Sequence, residues 1–207
     1  MSLIETHHLS YLPESHPVHV ALYRDLQNAS FLREQLLAGN TEFEYAFIDA
    51  SMIFSRNHIF AAIFRAVRDY INNRLKSKNV HSEIVFSLGG SNNIADAFRR
   101  FGISESTRDL LVVKVSTAPE ITHESVSKHL EHNIKALPCP FTEESLASMT
   151  DRARLRKVYK FGSVGADTFK RLDEVEQGKN GSETTKEAAR KHIDMLLMGA
   201  IAIRGAT

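Results

Sequence analysis

Gly89-Gly90-Ser91-Asn92-Asn93 comes nearest, in this 207-residue chain, to a phosphate cradle: small residues with accessible amides just ahead of a helical pattern that begins at Ile94. Read as strand (Glu83 to Phe86), polar turn and helix, the run would aim a helix dipole and its first unpaired amides at an anion. It lacks the lysine and spacing of a P-loop and the glycine spacing of a dinucleotide turn, and the same residues also make an ordinary capping turn. His129 and His132 lie one helical turn apart with His123 upstream. No Cys or His-Glu-X-X-His pattern accompanies them, so a solvated helix face is the expectation. Cys139, between Pro138 and Pro140, carries no signature of a nucleophile, and the serines form no Gly-X-Ser-X-Gly elbow. These residues give no reason to expect a catalytic set, a metal or a cofactor; a small nucleotide-binding enzyme using the Gly89 to Asn93 turn stands as the alternative class.

Basic residues cluster three times: Arg74, Lys76 and Lys78; Arg99 and Arg100; and Arg152, Arg154, Arg156, Lys157 and Lys160. Together they could meet a phosphate backbone; singly, each is also what a solvated face looks like. With 26 basic against 25 acidic residues the formal net charge is +1, so no whole-molecule field draws the chain to a polyanion. A stand-alone RNA-binding module, the third class considered, sits poorly with that balance. One cysteine excludes an internal disulfide, and no leader or long apolar run is visible, so a reducing compartment, cytoplasm or nucleus, is expected and no membrane.

The elements that must position these residues alternate through residue 115. Val18 to Tyr23 reads as a strand, and Asn28 caps a helix with Phe31, Leu32 and Leu36 on one side, stopped by Gly39-Asn40. Glu44 to Ile48 is a second strand, followed by a long helix from about His58 to Asn72 with the stripe Ile59, Phe60, Ile63, Phe64, Val67, Tyr70 and Ile71. Next come the strand at Glu83 to Phe86 and the helix Ile94 to Phe101, capped by Asn92 or Asn93 and closed by Gly102 in a left-handed conformation. Asp109 to Val115 is the fourth strand. Helices then follow at His123 to Ile134, Thr142 to about Tyr159, and Thr185 to about Ile203, with a polar, glycine-punctuated connection from Gly162 to Thr184 whose second half, 176–184, reads as a mobile loop. The pattern predicts an α/β fold: a single layered domain over 1–207, a mixed sheet of about four strands with some parallel pairing, flanking helices and a helical carboxy-terminal part. In the last helix His192, Ile193, Leu196, Leu197, Ala200 and Ile201 form one apolar stripe, and Met195, Met198 and Ala202 another. Either the helix is buried all round, or one side packs internally and the other meets a partner.

Three stretches together resemble one family, the small kinase-binding subunit of the KEOPS complex, also called EKC. They are Glu83 to Ile103 with its Asn93-Ile94, Asp96-Ala97 and Phe101-Gly102-Ile103; Arg156-Lys157-Val158-Tyr159-Lys160; and the final helix ending Ala202-Ile203-Arg204-Gly205. Order and approximate spacing agree over nearly the whole chain. The resemblance implies a non-catalytic α/β subunit that docks on the small kinase-like ATPase of the complex and stimulates it. The ATPase in turn contacts the subunit that transfers threonylcarbamoyl to the adenosine beside the anticodon of certain tRNAs. It also implies help in recruiting tRNA by its 3′ CCA end and, in some eukaryotes, a link to telomere maintenance and transcription. On that basis Met195, Met198 and Ala202 are the expected kinase contacts. Arg74, Lys76, Lys78, Ser91, Asn92, Asn93, Arg99 and Arg100 are the expected tRNA contacts. Ala95 replaces a frequent Ser, leaving the asparagines to cap the helix; Gly89-Gly90 replaces a Ser-Pro type turn, which makes the glycines look incidental.

Overall fold

The computed structural model describes residues 3–178 and 182–203. Val18, Val20 and Leu22 alternate with Ala21 and Tyr23, and Leu111, Val113 and Val115 alternate with Leu110 and Val112, so both strands present an apolar side to each face of one sheet. They pair as β2 (Val18–Arg24) and β4 (Leu110–Val115) after the short β1 (Ile4–His7) and β3 (Ala46–Asp49), with β5 (Leu137–Cys139) last. The order is β1-β2-β4-β3, and all pairs are antiparallel, with Val18 opposite Val115 and Ala46 opposite Val113. β1 covers β2 from Val18 to Ala21, and β5 continues the same edge from Leu22 to Arg24, where Pro138 costs no inner ladder bond.

One sheet face is covered by α1 (Ala29–Leu37) and α5 (His123–Asn133), through Leu32, Val126 and Leu130. The other carries the larger core, built by α2 (Arg56–Ile71), α3 (Val80–Leu88), α4 (Ile94–Phe101), α6 (Glu143–Met149), α7 (Arg152–Tyr159), α8 (Gly162–Glu176) and α9 (Glu183–Ile203). The α/β layered class and the helical carboxy-terminal part therefore match the sequence pattern. The pairing differs: helices intervene between strands, yet no parallel pair forms among the described residues.

Several local expectations are corrected. Glu83 to Phe86 is not a strand but the middle of α3, which starts where Asn79 Oδ1 accepts the Ser82 amide at 2.9 Å. Every residue of α3 except the half-buried Ser82 is buried, so no periodicity survives to tell helix from strand. The Gly89 to Asn93 turn thus joins two helices. The single helix expected from Thr142 to Tyr159 breaks at Thr150, where Asp151 turns its carboxylate to the Arg154 amide at 2.9 Å and starts α7. Gly162 to Glu176, expected as loop, is α8, with Phe169 and Leu172 buried. Of the proposed mobile loop 176–184, residues 179–181 lie outside the described residues, and Glu183 already opens α9.

Gly102 ends α4 without the left-handed turn, at φ −72°. Its lack of a side chain serves a close approach instead: a Cβ there would lie 2.7 Å from the Phe98 carbonyl oxygen. Gly89 is likewise not incidental, since a Cβ would come 2.9 Å from that of Ala97, where α3 and α4 meet. Tyr159, from the Arg156 to Lys160 motif, ties three helices: its hydroxyl donates to the Leu88 carbonyl at 2.7 Å and accepts from His58 Nε2, also at 2.7 Å. His58 Nδ1 in turn accepts the Phe54 amide at 3.2 Å, which fixes the tautomer. Burial pulls the His58 pKa down to about 3, so the ring is neutral.

Candidate functional site

Ala189, Ile193, Leu197 and Ile201 recur one turn apart and are buried against α2 and α8, which settles which side of α9 faces inward. Polar clamps fix the helix along its length. The Ser55 hydroxyl donates to Asp194 Oδ1, and Asn57 Nδ2 reaches Oδ2 at 3.5 Å. Burial raises the Asp194 carboxyl above its ordinary range, with those donors and Arg190 acting in the opposite sense. At the far end the Arg65 guanidinium donates to the Ile201 carbonyl, one of the acceptors a helix leaves without an internal partner.

The outer side of α9 stays open. Met195 is 53% exposed and Ile203 64%, Ala202 is exposed and Met198 half-buried. On one flank Met198 and Ala202 share a groove of about 650 Å³ with Ala61, Phe64, Arg74 and Lys76. On the other flank Met195, Gly199 and Ile203 line a groove of about 580 Å³ with Ser91, Asn92 and Phe161. The fold therefore brings the residues expected to meet a protein partner beside several of those expected to meet RNA. Ala61, Phe64 and Phe161 complete these grooves and were not singled out as contact residues; Phe64 was read only as part of the apolar stripe of the long second helix.

Lys78 and Arg99 lie away from α9, on a third cavity described below. The loop joining α2 to α3, which carries Arg74, Lys76 and Lys78, is held by a carboxylate only 1% exposed: Glu83 Oε2 accepts the Lys76 amide at 3.0 Å, the Ser77 amide at 2.8 Å and the Ser77 hydroxyl at 2.6 Å. An acid inside an apolar run was the signal for it. Arg74 pairs with Asp69 at 3.2 Å, whereas neither Lys76 nor Lys78 has an ion-pair partner among the described residues.

On α4, Asn93 Oδ1 accepts the Asp96 amide at 2.9 Å, so the asparagine caps the helix as expected. Arg100 Nε reaches Asp96 at 2.7 Å, and Arg99 binds the same carboxylate. Hydrogen bonds from Arg100 and then Arg99 hold the Asp96 carboxyl below its usual range. In the third basic cluster Arg152 is taken by Asp173, at 2.6 Å, and by Glu176, and Arg154 by Asp49 at 3.1 Å. His129 is not on a solvated face as expected: it is half-buried, stacked on Tyr45 at 5.3 Å with its Nδ1 3.0 Å from the Tyr45 hydroxyl. Among the described residues no three His, Cys, Asp or Glu side chains converge to hold a metal ion. What the geometry offers is surface: an apolar helix face between two grooves, with cations along one rim.

Residues 23–205 match the family model described as kinase binding protein CGI-121. The chain is 54% identical over 204 residues to a protein of Aspergillus fumigatus and 53% identical over 206 residues to one of Aspergillus terreus, each named EKC/KEOPS complex subunit cgi121. These alignments cover 99% of this chain and 98% of the first protein, and 100% and 99% for the second. A protein of the same name from Schizosaccharomyces pombe is 32% identical over 152 residues, covering 73% of this chain and 86% of its own length.

Proposed function

The chain belongs to the CGI-121 family of kinase-binding proteins, and on that premise we propose that it is a non-catalytic subunit of a KEOPS/EKC complex, binding the small kinase-like ATPase of that assembly through the outer side of α9. The observation that carries this reading is the exposed row Met195, Ala202 and Ile203, with Met198 half-buried beside it, on a helix whose inner side is buried and which is clamped at Asp194 and Ile201. A rigid apolar face with adaptable methionines gains affinity by burial without first being ordered. Binding there raises the ATPase rate, and the kinase-like partner links this subunit indirectly to the threonylcarbamoyl transferase, in cytoplasm and nucleus. Mixing the purified chain with the kinase-like ATPase tests this: a stable complex and a faster ATPase are expected, and two proteins that elute separately with an unchanged rate would refute it.

We also propose that the subunit helps recruit tRNA by its 3′ end, in service of the same modification and, in some organisms, of telomere maintenance. Lys76 and Lys78 support this, as cations with no ion pair among the described residues on a loop that Glu83 holds in place; Arg74, Arg99, Arg100 and the polar turn Ser91 to Asn93 are the further contacts proposed. Binding of a short CCA-ended oligonucleotide, followed against salt, is the check. Affinity that is insensitive to salt would remove these cations from the account.

A further inference from the structure

Between α1, α3 and α4, away from the outer side of α9, lies a cavity of about 520 Å³, within the size range of small-molecule sites. Tyr45, Phe47, Val85, Phe98 and Ile103 give it apolar walls. His81, only 3% exposed, also lines it. Its Nε2 accepts the Val115 amide at 3.0 Å, so in the neutral ring the proton sits on Nδ1, and that buried donor has no hydrogen-bond partner among the described residues. That nitrogen is enclosed in the wall, out of reach of an atom entering the cavity, so the ring contributes shape rather than a contact.

The mouth supplies charge. Lys78 lines it without an ion-pair partner among the described residues, Arg99 is shared with Asp96, and Arg33 is engaged with Glu105 at 3.3 Å. Glu44 is the acid on the same lining. Lys78 is therefore the cation left to meet an incoming anion, and Asn79 beside it fixes the start of α3 through the Ser82 amide at 2.9 Å. Apolar walls and one unengaged ammonium select a compact molecule with an apolar body and an anionic end.

We propose that this cavity is a binding site for a small organic carboxylate, its apolar body against Val85, Phe98 and Ile103 and its carboxylate at Lys78. The site is separate from the surface assigned to the kinase-like partner. Titration of the full chain with benzoate, indole-3-acetate and octanoate, followed by ¹H–¹⁵N spectra, tests it. At least one acid is expected to bind saturably, shifting amides of Lys78 to Val85 and Phe98 to Ile103. The matching alcohol should bind at least about ten-fold more weakly, as loss of a charge-assisted contact implies. Lys78→Ala should weaken the acid by about the same factor. Ala95→Trp, at an exposed lining position, should block the cavity with no change of charge and abolish acid binding. The proposal is overturned if none of the three acids perturbs these residues at millimolar concentration, if the Ala95→Trp chain binds as well as the parent, or if adenosine monophosphate shifts them and the carboxylates do not.

Discussion

The outer side of α9 and the basic edge of α4 both stand out in the sequence, one as a second apolar stripe and the other as paired arginines, but the fold treats them differently. On α4 the polar groups are already matched: Asp96 takes Arg99 and Arg100, and Asn93 takes the first free amide. On α9 the inner stripe is matched by the core, while Met195, Ala202 and Ile203 are left open. A charge on a short helix finds an opposite charge one turn away, whereas an apolar side chain facing water has no such local remedy. Apolar exposure is thus the better guide here to where a partner protein sits.

Neighbouring residues make that contrast breakable. Leu197 is fully buried, so Leu197→Ala should cost about 2–5 kcal/mol of stability through lost burial and a cavity, read from urea denaturation. An equal cost for Met198→Ala would erase the distinction between the two sides of α9. Buried histidines give the next largest effect. His58 and His81 are pulled down to about 3 by burial, and His19 to about 4. All three folded values lie below the unfolded 6.5, so the unfolded chain binds more protons between the two, and stability present above pH 6.5 is lost as pH falls toward 4. The slope for His58 and His81 together approaches about 3 kcal/mol per pH unit, and denaturation midpoints at pH 7 and pH 5 should separate accordingly. A midpoint that holds steady between these pH values would mean those rings are solvated.

Tyr159→Phe should cost about 1–3 kcal/mol, because the Leu88 carbonyl and the His58 Nε2 proton each lose a partner inside the core. The smallest effects fall on the charges. Lys76→Glu should flatten the salt dependence of oligonucleotide binding by about 0.7 in log-log slope, one phosphate contact on a single strand. The double change Arg99→Glu and Arg100→Glu should flatten it by less per charge removed, since Asp96 already offsets that edge. A larger loss per charge at the arginines would invert the order drawn here.

What could be read in advance follows from how local each signal was. Val18 to Tyr23 and the strand centred on Leu111 to Val113 were legible because short, mostly apolar runs rich in valine and leucine between turn residues leave little choice. The Asn93 cap was legible because it needs only residues a few positions apart. α3 was not, since a helix buried on every side has no polar face to mark its period. α8 was hidden by Gly162 and Gly165, yet a Cβ on Gly165 would lie 2.2 Å from that of Phe161, so tight packing rather than flexibility accounts for that glycine. At the site, the open row on α9 was visible as a stripe. That Arg74 and Lys76 share a groove with Met198, and Ser91 and Asn92 one with Met195, depends on contacts between segments far apart in the chain, which spacing does not encode.

The claim that most needs testing is that the outer side of α9 is the kinase-binding surface. Titration calorimetry of the kinase-like ATPase with the parent chain and with Met198→Asp, whose folded state is checked by its denaturation midpoint, tests it directly. A charge placed in the centre of an apolar contact should weaken binding by about a hundred-fold or more while the chain stays folded. Unchanged affinity in a folded Met198→Asp chain would show that the kinase sits elsewhere.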